Sequence, residues 1–234
     1  MSSLPYALAE ASGLDLRAYR EDHVRERVRR ALLREEAATV EELADLLRAH
    51  RSARERFRRS VAVSVSGLFR DPAQFELLER QVVPALVAHR GPIRVWSAGC
   101  ADGSELYSVA LVLEQLGVLG RAHLLGSDLL EENLALARRG VYGDTAMPAT
   151  ARARVRWEQR DLTRDGAPPG RWRLVLCRNL AIYLSRSAKR ALHETLAEAL
   201  APGGVLMVGR SERIADPGGL GLSRIAPHTY RRAA

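Results

Sequence analysis

Apolar residues recur at helical spacing in the first part of the chain and in short buried runs from Ile93 onward, so the chain divides into an all-helical part and an alternating part. From Asp15 to about Ser66 the helical period dominates. Val24, Val28, Ala31 and Leu32 form an apolar stripe, and Arg20, Arg27, Arg30 and Arg34 share an adjacent sector of the same helix. Thr39 and Glu42 have the form of a capping box, followed by Leu43, Leu46 and Leu47. A third helix is predicted from about Ser52 through Phe57 and Val61. The stretch SVSGLFRDPAQFELLERQVVPALVAH then reads as a linker and one further helix, with Asp71-Pro72 as its start signal.

Beyond it the pattern alternates. IRVWSAG, AHLLGSD, VRWEQRD, WRLVLCRN and GGVLMVGRSE read as strands, separated by the helical stretches ELYSVALVLEQLG, EENLALARRG and SAKRALHETLAEAL, with LSRIAPHTYRRA adding a final hairpin strand. This is an α/β pattern, a doubly wound and mostly parallel sheet with a small N-terminal all-helical domain. The expected boundaries are 1–66 for the helical domain, 67–90 for the linker and connecting helix, and 91–234 for the sheet domain. In such sheets a ligand lies beyond the carboxyl ends of the strands, where the strand order reverses.

With 234 residues, 47% of them hydrophobic, the chain can bury a core of that size. No apolar run reaches the roughly 18 residues that span a bilayer, and MSSLPYALAEASG lacks a basic segment followed by an apolar one, so a cytoplasmic location without membrane insertion is expected. A monomer is expected as well. Cys100 and Cys177 have no metal-ligand spacing, and no metal is expected. The net charge of +8 comes from 36 basic against 28 acidic residues. Because the acids are interleaved with the arginines, an anionic protein surface is the expected partner and nucleic acid is not. The arginine sector is either a solvated face or a docking surface for an acidic helical partner.

The strand ends carry the candidate chemistry. SAGCADGSE places Gly99 and Gly103 where backbone can pass close to a ligand, but it has neither a dinucleotide fingerprint nor a phosphate loop. Glu105 in the first turn of the next helix suits a ligand with a cationic part, and is equally ordinary helix chemistry. Asp128 ends the second strand, where an acid can accept both ribose hydroxyls or cap the next helix. Together they point to an adenosine cofactor without a pyrophosphate, for which S-adenosylmethionine is the best fit. Asp161 and Leu162 follow the third strand, placed to meet an adenine edge and face. Arg178, Asn179 and Tyr183 follow the fourth, and a buried Arg-Asn pair is costly unless hydrogen-bonded.

SGLFRD, RVWSAGCADGSELYSVAL, GSDLLEENLALARRGVYG, CRNLAIYL and LAPGGVLMVGRSE, in this order, resemble the CheR chemotaxis receptor methyltransferases, which methylate glutamate side chains from S-adenosylmethionine. The resemblance implies cofactor contacts from the linker at Ser64, Ser66 and Arg70, and from Gly99, Glu105, Asp128, Asp161, Leu162, Arg178 and Asn179. It implies a chemoreceptor-like helical protein as substrate, docked on the arginine face. Arg70 as an orienting cation and Tyr183 as a wall or hydrogen bonder would serve the methyl transfer. Ser64, Ser66 and Leu68 replace the family's linker residues, and Arg210 replaces the histidine of Gly-His-Ser-Glu.

The family's small β-subdomain, which in some members grips a receptor tail peptide, is reduced here to GDTAMPATARAR, too short for three strands. No tail-peptide tether is expected. Two other readings remain open at this point, a methyltransferase of the same fold with another substrate and a cofactor-binding adaptor without activity.

Overall fold

The protein is described by a computed structural model over residues 6–89 and 91–233. It forms two compact units. The first comprises the described residues up to Ser64 together with Tyr183–Arg190, and the second comprises Val65–Ile182 and the described residues from Ala191 on.

The first unit contains α1 (Tyr6–Ser12), α2 (Glu21–Arg34), α3 (Val40–Ala49) and α4 (Arg51–Ala62). Sequence patterning begins this region at Asp15 and so misses α1, which is short and stops at Gly13. The apolar stripe of α2 is buried through Val24, Val28 and Ala31, beside Leu43, Leu47 and Phe57 of α3 and α4. The capping box of α3 is present in a slightly lengthened form. Thr39 Oγ1 accepts from the Glu42 N–H at 3.1 Å, and Glu42 Oε2 accepts from the Ala38 N–H at 2.7 Å. The segment 183–190 joins this unit through backbone, with the Arg20 N–H donating to the Tyr183 carbonyl at 2.9 Å and the Ser185 N–H to the Ala18 carbonyl at 2.8 Å.

The second unit begins with α5 (Pro72–Leu77) and α6 (Val83–Val87), joined by a π turn at Leu78–Val82. One helix was expected here. Pro84 has no N–H to donate into the ladder, and the widened turn immediately before it absorbs the break.

The sheet is built from β1 (Ile93–Ala98), β2 (Ala122–Asp128), β5 (Val155–Gln159), β6 (Trp172–Cys177), β7 (Leu200–Val208), β8 (Leu222–Ala226) and β9 (Thr229–Arg232), in the order β5-β2-β1-β6-β7-β9-β8. The first five are parallel neighbours. β9 runs antiparallel to β7, and β8 antiparallel to β9, as the hairpin-like tail predicts. α7 (Ser104–Gln115), α8 (Glu131–Arg139), α9 (Ala149–Arg154) and α10 (Arg186–Ala199) complete the alternation. Val95, Leu106, Val109, Leu124, Leu174 and Val205 are among the residues of its core.

The order reverses at β1, since the chain moves to β2 and β5 on one side and to β6 and β7 on the other. The carboxyl end of β1 is therefore the switch point. Between α8 and α9 lies only a pair of two-residue strands, β3 (Val141–Tyr142) and β4 (Thr145–Ala146). Among the described residues no helix is long and apolar enough to cross a membrane, and no cluster of His, Cys, Asp or Glu could hold a metal.

Candidate active site

The loop leaving β1 is folded onto the end of β2. The Gly99 and Cys100 N–H groups both donate to the Ser127 carbonyl, at 2.8 and 2.9 Å. Two glycines are required here for conformation, and Gly103 for packing as well. Gly99 has φ +76, and a Cβ on it would lie 2.8 Å from Leu180 Cδ1; Gly103 has φ +83, and a Cβ there would lie 2.5 Å from the Trp157 ring.

Asp128 stands at the end of β2, buried. Its Oδ2 accepts from the Ala101 N–H at 2.9 Å, and its Oδ1 accepts from the Leu130 N–H at 3.0 Å and from Asn133 Nδ2 at 2.9 Å. All three donors are neutral, and no cation pairs with it among the described residues. Burial consequently pushes its carboxyl above the ordinary Asp value, although the three donors pull the other way.

Arg178 is a buried clamp with its side chain 3% exposed, and it has the hydrogen-bond partners that a buried arginine requires. Its Nε donates to Gln74 Oε1 at 2.8 Å, and its Nη1 to Glu105 Oε2 at 3.1 Å. Its Nη2 donates to the Arg70 carbonyl at 2.7 Å and to Asp71 Oδ2 at 2.9 Å. One guanidinium thus joins the linker, α5 and the first turn of α7 to the end of β6. Glu105 is fully engaged in this cluster, because Ser97 Oγ donates to its Oε1 at 2.7 Å. Gln74 is itself held by donating to the Val208 carbonyl at 2.9 Å.

The linker arrives in a strained conformation. Phe69 and Asp71 both have left-handed backbone, with φ of 52 and 60. Ser108 Oγ accepts from the Phe69 N–H at 2.9 Å, so α7 and Arg178 hold the two strained residues from opposite sides of Arg70. The Arg70 guanidinium itself donates to the Val65 carbonyl at 2.5 Å and, among the described residues, pairs with no carboxylate. Nearby acids are taken, Asp71 and Glu105 by Arg178 and Glu76 by Arg80. Ser66 is exposed on the same linker.

Asp161 and Leu162 follow β5. Asp161 Oδ1 accepts from the Thr163 N–H and hydroxyl at 2.9 and 2.6 Å, which fixes the turn and leaves Leu162 half-buried. Asn179 has φ 61, and its N–H donates to Glu212 Oε2 at 2.8 Å. The same oxygen accepts from the Gly209 N–H at 2.7 Å, while Glu212 Oε1 is buried without a partner. Ser104 Oγ, at the start of α7, is likewise buried and unpartnered.

The other two expected site residues, Ser64 and Tyr183, belong to the first unit. There the Tyr183 ring stands 5.0 Å from the His23 ring, and His23 Nε2 shares a hydrogen bond of 2.9 Å with the Val61 carbonyl.

Sequence reasoning did not assign Gln74, Ser108 or Glu212 to the site. Ser108 and Glu212 close the motifs GSELYS and GRSE, which is a usable signal. Gln74 carries none, since it is a polar residue on a short helix.

A model of the family described as "CheR methyltransferase, SAM binding domain" matches residues 64–151 and 145–220. The chain is 30% identical to a chemotaxis protein methyltransferase of Listeria innocua over 93% of this chain and 91% of that protein. The chemotaxis protein methyltransferase of Listeria monocytogenes is also 30% identical, over the same shares. That of Vibrio parahaemolyticus is 28% identical over 74% of each chain.

Proposed function

This chain belongs to the CheR methyltransferase family and uses S-adenosylmethionine as its cofactor, and from that premise we propose that it methylates glutamate side chains of a chemotaxis receptor or related signalling protein. The single observation that carries the proposal is Arg70, a cation on a strained, doubly anchored linker whose surrounding acids are all engaged elsewhere. A carboxylate is the chemistry it lacks.

The residues present suit the cofactor. Asp128 is a buried acid supplied with neutral donors only, as suits the hydroxyls of a ribose. The Gly99–Gly103 loop would run beside the amino-acid end, above the Glu105–Arg178 pair, and Asp161 and Leu162 would border the adenine. Ser66 and Asn179 would complete the surroundings. When bound, the cofactor supplies a methyl on a sulfonium, and transfer breaks that S–CH3 bond and forms an O–CH3 ester bond at the acceptor carboxylate.

A glutamate with its ordinary pKa of about 4.3 is already ionised near neutral pH, so the site requires no general base. The work of this chain's residues is to orient the acceptor and to displace its water. Arg70 serves the first. We also propose that the receptor docks on the arginine sector of α2 and that no tail peptide tethers it; the two-residue strands β3 and β4 support the latter.

The test is incubation with radiolabelled cofactor and receptor-bearing membranes. The expected product is base-labile label released as methanol, and base-stable label would overturn the carboxylate assignment. Arg70→Ala is expected to lower methylation roughly a hundredfold, the scale of a lost positioning contact. Calorimetry with S-adenosylhomocysteine separates its roles. Unchanged affinity assigns Arg70 to the acceptor carboxylate, and weakened affinity assigns it to the cofactor's own.

A further inference from the structure

The second unit contains a cavity of about 550 Å³ at the end of the sheet opposite the candidate active site. Its walls come from the starting residues of four adjacent parallel strands, Arg94 of β1, Ala122–Leu125 of β2, Arg156 of β5 and Trp172 of β6, with Ala153 and Arg154 from α9. The sheet register explains why its charges converge. Arg94 is paired with His123, and Leu125 with Arg156. Paired residues on neighbouring strands share a face, and so do residues two apart on one strand. Arg94, His123 and Arg156 therefore point from one face of three adjoining strands, spaced at roughly 5 Å from strand to strand.

Like charges so arranged repel unless something neutralises them. No carboxylate lines the cavity, and among the described residues none pairs with Arg94, Arg154 or Arg156. Many arginines elsewhere in the chain are paired with acids, among them Arg25, Arg30, Arg48, Arg56, Arg138 and Arg160. Glu158, the nearest acid along β5, is occupied by Arg160. Arg94 is held in place, its guanidinium lying 4.5 Å over the Trp172 ring and donating to the Pro169 carbonyl at 3.0 Å. Arg154 has no such partner.

We infer that this cavity is a binding site for a phosphorylated small molecule of nucleotide size. Several arginines beside a histidine match the doubled charge and fork geometry of a phosphate ester better than a single carboxylate. Pro92, Ala122, Leu124, Leu125 and Trp172 supply apolar surface for the body of the ligand. The volume lies in the range of about 300–1,000 Å³ common to small-molecule sites.

The test is titration of the full chain with uridine monophosphate by calorimetry, in saturating S-adenosylhomocysteine so that the cofactor cleft cannot contribute. One-site binding is expected, competed by inorganic phosphate and weakened by salt. The Arg154→Glu/Arg156→Glu variant should lose roughly tenfold or more in affinity, the loss of one charge-assisted contact. Arg25→Glu/Arg29→Glu, an equal change of charge on α2, should not. Unchanged S-adenosylhomocysteine affinity in both variants confirms that they are folded. No binding at millimolar nucleotide would overturn the inference. So would an equal loss in the two variants, which marks attraction to net charge alone.

Discussion

Four residues other than glycine around the candidate site, Phe69, Asp71, Ala101 and Asn179, hold left-handed backbone. Each such residue costs about 1 kcal/mol or more and persists only where its surroundings dictate it. Their surroundings are the site's own hydrogen bonds, from Phe69 to Ser108, Asp71 to Arg178, Ala101 to Asp128 and Asn179 to Glu212. Arg178 is the most heavily committed of these partners. Arg178→Met would leave Asp71 and Glu105 without their cation in a largely buried setting. It is expected to destabilise the second unit by about 3 kcal/mol, the low end for breaking a buried pair, because Asp71 and Glu105 keep some access to water. Urea unfolding followed by tryptophan fluorescence measures this directly, since all three tryptophans, Trp96, Trp157 and Trp172, lie in that unit. Arg178→Lys retains the charge but not the planar fork, and should recover only part of the loss. Little of this is visible in sequence. CRN announces a buried arginine that must find partners, but those partners lie 73 to 108 residues away, and most of them reach it from a linker whose left-handed residues contain no glycine to mark them.

Elements were far more legible than their junctions. The buried parallel strands read as continuous apolar runs closed by Gly or Asp, and AHLLGSD coincides with β2 residue for residue. What escaped was short or set by tertiary contact: α1, the π turn before Pro84, and the return of Tyr183–Arg190 to the helical unit. That return gives α2 an environment its own sequence does not foretell. His23 is sandwiched by Tyr19 at 6.1 Å and Tyr183 at 5.0 Å, and burial pushes its pKa below 6.5, assisted by Arg27 and Arg20 and opposed by the Val61 carbonyl and Asp22. The folded state therefore binds fewer protons than the unfolded chain in the window below pH 6.5, and stability must rise with pH there. His23 contributes fully above the unfolded pKa, and the contribution is lost as pH falls toward the folded value. Thermal unfolding of the helical unit is expected at lower temperature at pH 5.5 than at pH 7.5. His23→Gln should flatten that dependence. A histidine proton resonance titrating at or above its ordinary midpoint would contradict it.

At the scale of the whole molecule the charge of +8 is less available than the composition suggests. On α2, Arg20 pairs with Asp22, Arg30 with Glu26 and Arg34 with Glu35, so three of the four arginines in the sector beside the apolar stripe already have acids. The pairs of Arg20 and Arg30 are exposed and contribute little to stability, which leaves these two arginines free to exchange partners at small cost, whereas Glu35 is largely buried and is shared by Arg34 with Arg56. Arg27 differs, since its Nε is buried without any partner. An acidic receptor helix meeting this face would displace intramolecular acids rather than find bare cations, and its hold on the enzyme should weaken steeply with ionic strength. If the receptor docks here, Arg27→Glu/Arg30→Glu is expected to raise the KM for receptor methylation roughly tenfold at low salt, through slower encounter, and by less at high salt. The affinity for S-adenosylhomocysteine should not change, because its proposed contacts Asp128, Glu105 and Arg178 all lie in the other unit. Loss of cofactor binding in that variant, or a KM insensitive to both charge and salt, would remove the docking role and leave the sector as a solvated, self-neutralised helix face.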